Sequence, residues 1–409
     1  MAILSLEEIN DRLNSPSLDD HERVELLIQK KQAILLSKCS TDYKAFVKLF
    51  WKYQSGDDFR PNFGTDAIIE HMMAAKRREI RRLIINIPPR NAKSSLTSIS
   101  FPPFVWLTAP REKFYYLSYS LELTKDNLVR GRNIILSEPY SIFTDPNSPD
   151  YVYSLASDMN TKTKIFNNRS GHLITGSPKS GTLGKGYSIG LIDDLSSSDD
   201  PNELNLANTY FSEKFKDRAD NQSTNVIIII MQKLGKGDLT DYVLSTYKSE
   251  NWIRLVIPLE RDALSDPIIT NFESAKIKED PRQIGESIDY ERYPPSVVES
   301  LKIDQKIWQT KYQQRNPSKD LNSSFIDPLS IPVSDKQIHY SWFDYIVTGW
   351  DTAVEVSKTA NYTVGITGGL YKDIIYIFDM FRGQYDLLRR IEYFKYYAKN
   401  TLWLSNFIL

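Results

Sequence analysis

Six consecutive large apolar residues, Val226–Met231 in the stretch NVIIIIMQ, constrain this chain more than any other segment. The run shows no alternation, so a strand made from it needs cover on both faces, and it is far too short to cross a membrane. A strand buried on both faces belongs inside a sheet layered by helices. The signature recurs at residues 83–87, in KFYYLSYS (113–120), in SIGLIDDL (188–195) and in WIRLVIP (252–258), with helical spacing between most of these runs. The predicted fold is therefore α/β with a mainly parallel central sheet.

Around that sheet the pattern changes twice. Residues 1–55 carry apolar side chains at three- and four-residue spacing and form a predicted N-terminal helical segment, with Asp19 or Asp20 placed to cap its second helix. Residues 56–330 hold the apolar strands, and their polar, proline-bearing part (262–300) reads as a linker or lid before a helix in VESLKIDQKIWQTKYQQRNP. Beyond a boundary near 330, residues 331–409 begin with three strands in FDYIVTGWDTA, NYTVGITGGLY and DIIYIFDMFRG. The link Tyr371-Lys372-Asp373 is tight enough for an antiparallel hairpin.

Composition excludes several function classes. With 51 Lys plus Arg against 52 Asp plus Glu, the net charge of −1 gives no bulk attraction to nucleic acid, and any DNA contact needs a local basic surface. The single cysteine, Cys39, excludes an internal disulfide and a Cys-rich zinc site. His21, His71, His172 and His339 lie far apart, without metal-ligand spacing. Acidic residues follow the first six residues at once, no signal peptide is apparent, and a cytoplasmic setting is expected.

The segment RRLIINIPPRNAKSSLTS (81–98) is a strand, a small loop and the start of a helix. That is the layout of a phosphate-binding loop, in which a lysine reaches the β- and γ-phosphates and a hydroxyl meets Mg²⁺. Lys93 and Ser94 supply these groups, Ser95 is a second hydroxyl, and Pro88, Pro89, Arg90 and Asn91 fill the entry. Ala92 stands where such loops carry glycine, and it fits if φ there is negative. Taken alone, the segment is equally a Pro-rich turn with a solvated lysine. About a hundred residues on, SIGLIDDL ends an apolar strand with Asp193 and Asp194. A nucleoside triphosphatase needs one such acid for its metal and one to orient water. As a lone feature, two strand-end acids also describe a solvated turn. The Gly184-Lys185-Gly186 stretch just before this strand reads either as backbone and a cation near a ligand or as a flexible surface loop.

Taken in order, LIINIPPRNAKS, GTLGKGYSIGLIDDL, VIIIIMQKLGKGDLTDYVL, WQTKYQQRNP and GWDTAVEVSKTANYTVGITGG resemble the large terminase subunit of tailed bacteriophages, over about residues 40 to 395. The resemblance implies a P-loop ATPase that pumps double-stranded DNA into a procapsid and a nuclease of RNase H-like fold behind it. It implies ATP and Mg²⁺ as cofactors, and the bacterial host cytoplasm as the setting. Portal protein and the small terminase subunit are the implied partners, with a ring of like subunits during packaging. Lys93, Ser94 and Arg90 would form the phosphate site, Asp193 would bind Mg²⁺ through water, and Asp194 would be the catalytic carboxylate. Gln232, leaving the strand VIIIIM, resembles the residue that senses the γ-phosphate, and Arg218 matches an arginine that acts as a cationic finger. A generic DNA-stimulated ATPase and a non-catalytic prophage remnant are the competing readings.

In the last segment the same resemblance makes Asp351 the first metal carboxylate of the nuclease and gives Asp379 a structural role. Two-metal nucleases need three or four carboxylates from separate elements around ions about 4 Å apart. No acid follows Glu392 in the sequence, so the nuclease domain reads as incomplete, without metal-dependent cleavage by this chain alone.

Overall fold

The structure is a computed structural model describing residues 6–14, 19–157, 161–180, 186–316, 340–352, 363–372, 374–383 and 386–400. The chain divides into two compact units, Met1–Phe325 and Ile326–Leu409. No helix among the described residues is long and apolar enough to cross a membrane.

The first unit opens with α1 (Leu6–Leu13), α2 (Asp20–Lys38), α3 (Tyr43–Ser55) and α4 (Phe63–Lys76). Side-chain caps set the starts of α2, α3 and α4. Asp19 accepts from the Glu22 N–H at 2.7 Å, Asp42 serves α3, and Asn62 with Thr65 forms a reciprocal capping box on α4. Helix α3 ends where Gly56 adopts φ +84°, a conformation that penalises any side chain. Its Phe46 and Phe50 pack against Phe104 and Tyr140, so α3 is part of the main core.

Then follow β1 (Arg82–Asn86), α5 (Phe101–Trp106), β2 (Lys113–Leu117), α6 (Leu121–Ile135), α7 (Ser141–Thr144), β3 (Lys164–Phe166), β4 (His172–Gly176) and β5 (Ile189–Asp193). Next come α8 (Pro201–Tyr210), β6 (Val226–Met231), α9 (Leu239–Thr246), β7 (Ile253–Val256), α10 (Pro295–Leu301) and α11 (Gln305–Ile307). The seven strands lie in the order β3-β4-β2-β5-β6-β1-β7, all parallel except β3, which runs antiparallel to β4. The sheet is the mainly parallel α/β core that the apolar runs predict. Odd and even side chains of one strand feed two separate apolar layers. Ile228 and Ile230 join the α3–α6 side, while Ile227, Ile229 and Met231 join the side covered by α8 and α9. Gly190 lets the second layer close, because a Cβ there would meet the Phe215 ring at 2.4 Å.

Three expectations change. Strands β3 and β4 are not among the predicted runs; they are short and bordered by polar residues. The segment read as a loop-rich linker or lid, 262–300, contains no named strand, but it packs as a wall. Its Ile269, Ile288 and Tyr293 are buried in the core, and α10 already begins at Pro295. The helix expected to run on to Pro317 is broken after Leu301, and Asp304 caps a new start at Gln305.

His71 ties α4 to this wall. Its ring lies fully buried, with Nδ1 2.8 Å from the Ala67 carbonyl and Nε2 2.8 Å from Thr270 Oγ1. Burial holds its pKa below the ordinary 6.5, against the opposing pull of the Ala67 carbonyl and Glu70. The folded state therefore prefers the neutral ring. Its contribution is complete above pH 6.5 and is lost as pH falls, because the unfolded chain takes up the proton more readily. Chemical denaturation from about pH 7.5 to 5 is expected to show stability falling with acid, with a shallower slope in His71→Gln. Equal slopes would contradict this account.

The second unit holds β8 (Tyr345–Asp351), β9 (Thr363–Tyr371) and β10 (Ile374–Gly383), antiparallel in the order β10-β9-β8, followed by α12 (Leu387–Asn400). Lys372, at φ +51°, turns β9 into β10 as the short link predicts. Trp350 packs on Phe381 and Phe394 and covers Gly365, where a Cβ would lie 2.9 Å from the indole.

Candidate functional site: the loop after β1

Three strand ends converge at the carboxyl edge of the sheet, the edge where open α/β sheets bind ligands. β6 lies between β5 and β1, so the acids after β5 and the loop after β1 meet across the end of β6.

The loop is held by its neighbours. Asn86, the last residue of β1, donates to Thr240 Oγ1 at 3.0 Å. Asn91 Nδ2 donates to the Pro89 carbonyl at 3.0 Å, the Tyr293 hydroxyl donates to that same carbonyl at 3.0 Å, and Arg292 donates to the Arg90 carbonyl. Within this frame Arg90 has φ +60° and Ala92 φ +59°. The negative φ expected at Ala92 is not found. The backbone is the left-handed one that glycine usually supplies, and alanine holds it under strain of roughly 1–2 kcal/mol. The outside hydrogen bonds to the proline and arginine carbonyls fix the turn and make that strain sustainable.

From Lys93 the chain turns helical, with the Leu96 N–H donating to the Ala92 carbonyl at 2.9 Å. The Lys93 ammonium forms an ion pair with Asp194 Oδ2, both side chains being largely shielded from water. Asp194 adopts φ +46°, and its other oxygen accepts from the Gln232 N–H at 3.2 Å. The Gln232 amide oxygen is buried without a hydrogen-bond partner, a polar group left open beside the two acids.

Asp193 is 1% exposed. The Tyr116 hydroxyl donates to its Oδ2 at 3.3 Å and Ser98 Oγ lies 3.5 Å away, while Asn127 Nδ2 donates to the Tyr116 oxygen at 2.7 Å. Burial, and next the Asp194 carboxylate, push the Asp193 carboxyl up to about 6, against the pull of Lys93, Ser94 and Tyr116. Asp193 thus has too little positive charge around it, and a cation beside it would correct that.

No group of three His, Cys, Asp or Glu among the described residues could hold a metal by itself. Asp193 with the Ser94 hydroxyl is an all-oxygen set of two, which suits a Mg²⁺ that keeps waters and takes phosphate oxygens, and does not suit an ion caged by protein alone.

Beside the loop opens a cavity of about 700 Å³, whose wall includes Arg90, Asn91, Ala92, Lys93, Ser94 and Ser95 from the loop and Trp51, Phe59 and Arg130 from elsewhere. The structure therefore brings together all the residues singled out after β1, β5 and β6.

Within the first unit it does not bring in Arg218. The Arg218 carbonyl accepts from the Tyr187 N–H at the amino end of β5, roughly 20 Å along the strand from Asp193 at ~3.3 Å per residue. Arg218 thus cannot act as a finger on its own chain's loop. Gly186 lies at that same far end, where a Cβ would collide with Asp220, while Gly184 and Lys185 lie outside the described residues. Asp351 closes β8, exposed, opposite Val364. Asp379 pairs with Thr367, an odd number of residues away on β9, so the two acids point to opposite faces of the small sheet.

Sequence reading missed Tyr116, Asn127 and Arg130. A signal existed, since Thr124, Asn127 and Arg130 recur every third residue on the inner face of α6, where an amphipathic helix usually carries apolar groups.

No family model matches the chain, and no curated protein matches it. Among solved structures, the large terminase from a thermophilic bacteriophage aligns at 12% identity with a TM-score of 0.39, over 83% of this chain and 74% of that chain. The same terminase in complex with ATP-gamma-S aligns at 12% identity and a TM-score of 0.38, over 82% and 72%. Its complex with ADP aligns at 12% and 0.37, over 85% and 76%. A likeness at this level assigns neither family nor activity.

Proposed function

We propose that the first unit is a Mg²⁺-dependent ATPase and that the chain works as a motor subunit of the terminase type, moving double-stranded DNA. The observation that carries this reading is the contact of Lys93 with Asp194 beside the buried Asp193. Two segments about a hundred residues apart in sequence close on one point, at the sheet edge suited to phosphate binding.

In this reading Lys93 leaves Asp194 for the β- and γ-phosphates, and Asp194 is freed to orient the attacking water. Asp193 and Ser94 would hold Mg²⁺, which when bound neutralises charge on the phosphate oxygens. Gln232, whose N–H already meets Asp194, would sense the terminal phosphate from just beyond β6. Arg90 contributes a cation at the mouth of the loop.

The packaging role rests on the ordered sequence segments, and so do the portal protein, the small terminase subunit, ring assembly and a nuclease role for Asp351. Phosphate release from Mg²⁺-ATP is expected, accelerated by linear double-stranded DNA. Magnesium-dependent hydrolysis indifferent to DNA would leave an ATPase without the motor, and no hydrolysis under either condition would end the reading.

A further inference from the structure

Arg130, on α6, has a charge that the protein leaves uncompensated. Its Nε donates to the Gln54 carbonyl at 2.8 Å and a terminal nitrogen donates to Ser95 Oγ at 3.4 Å. Both acceptors are neutral, and among the described residues no carboxylate is within ion-pair distance of it. Asp57, on the same cavity wall, acts only from farther off. By contrast Arg82, Arg282 and Arg315 each rest on a carboxylate, at 2.9, 2.7 and 2.6 Å. A half-buried guanidinium with neutral acceptors alone is costly unless an anion joins it.

The loop has two sides. Lys93 and Ser94 turn toward Asp193 and Asp194, while Ser95 turns toward Arg130. A phosphate chain laid across the loop has its terminal phosphate at the Lys93–Asp194 end. Its other end lies by Ser95, where the cavity continues toward Trp51 and Phe59.

We propose that Arg130 binds, from within the same chain, the phosphate nearest the nucleoside: the α-phosphate of a bound nucleoside di- or triphosphate. This rests on the ATPase reading. The competing role is a structural pin between α3 and α6 through the Gln54 carbonyl. A pin affects stability and treats phosphorylated and unphosphorylated ligands alike, whereas a phosphate contact does not.

The test uses the full chain as wild type, Arg130→Gln, Arg130→Lys and Lys93→Ala. Each is titrated with a fluorescent ADP analogue and with adenosine, and melting temperature is recorded alongside. Losing a charge-assisted bond of this kind weakens ADP binding roughly tenfold or more in Arg130→Gln. Arg130→Lys is expected to recover part of the loss, with adenosine affinity the same in both. A folded Arg130→Gln with wild-type ADP affinity overturns the proposal, and so does an equal loss for ADP and adenosine. If Arg130→Gln does not fold, the lysine variant decides. It keeps a point charge but loses the planar fork, so ADP binding should weaken several-fold, and unchanged ADP affinity overturns the proposal. Weaker ADP binding in Lys93→Ala beside an unaffected Arg130→Gln removes the role of Arg130 alone. No ADP binding by the wild type removes the ATPase reading with it.

Discussion

Lys93→Ala is expected to abolish Mg²⁺-ATP hydrolysis, by a factor on the order of a thousand or more, because no other cation can replace an ammonium that follows charge onto the transferring phosphate. Arg90 is at the loop mouth, and Arg130 is on the Ser95 side. Lys93 also provides the ion pair to Asp194 and draws the Asp193 carboxyl down. Its removal leaves two adjacent acids with that compensation gone, so a drop in melting temperature should accompany the loss of turnover. Phosphate release at saturating nucleotide, measured beside a thermal melt, checks both. Turnover comparable to wild type would refute the site.

Asp194→Asn separates binding from chemistry. An amide cannot take the proton of an attacking water, and losing such a base typically slows turnover on the order of 10²–10⁴-fold. The substitution also dissolves the ion pair that occupies Lys93. Nucleotide affinity should therefore hold or rise while hydrolysis collapses. Calorimetric titration with ATP beside phosphate release distinguishes this from a damaged pocket, in which affinity and rate would fall together.

What was legible in the chain followed from burial. A strand with both faces covered cannot alternate, so Val226–Met231 and its companions stood out, and with them the parallel sheet. Strand β4 is just as buried, but HLITG carries His172, Thr175 and a terminal glycine, and its polar groups hid it. That Lys93 and Ser94 would meet Asp193 and Asp194 was legible because each pair follows a buried strand of one parallel sheet. The backbone of the loop was not legible. Whether Ala92 takes a positive φ depends on Tyr293 and Arg292, about two hundred residues away, holding the carbonyls of Pro89 and Arg90. No local rule contains that information. The distance of Arg218 from its own chain's loop was hidden for a related reason, since order along the chain does not say at which end of the strands a residue emerges.

The residue after Gln232 gives the end of β6 a mechanical character. Lys233 is 4% exposed; its N–H donates to Gln314 Oε1 at 2.8 Å, and its ammonium is 2.8 Å from Asp238 and 2.6 Å from Asp241. Asp241 in turn accepts from Asn316 at 2.9 Å. Gln232, whose N–H meets Asp194, and Lys233, which grips α9 and Gln314, are thus consecutive residues just beyond the end of β6. A displacement of Gln232 would pull directly on Lys233, which is held on three sides. Under the proposed ATPase reading, Lys233 would carry such a shift, as a pushrod does, to residues 314–316.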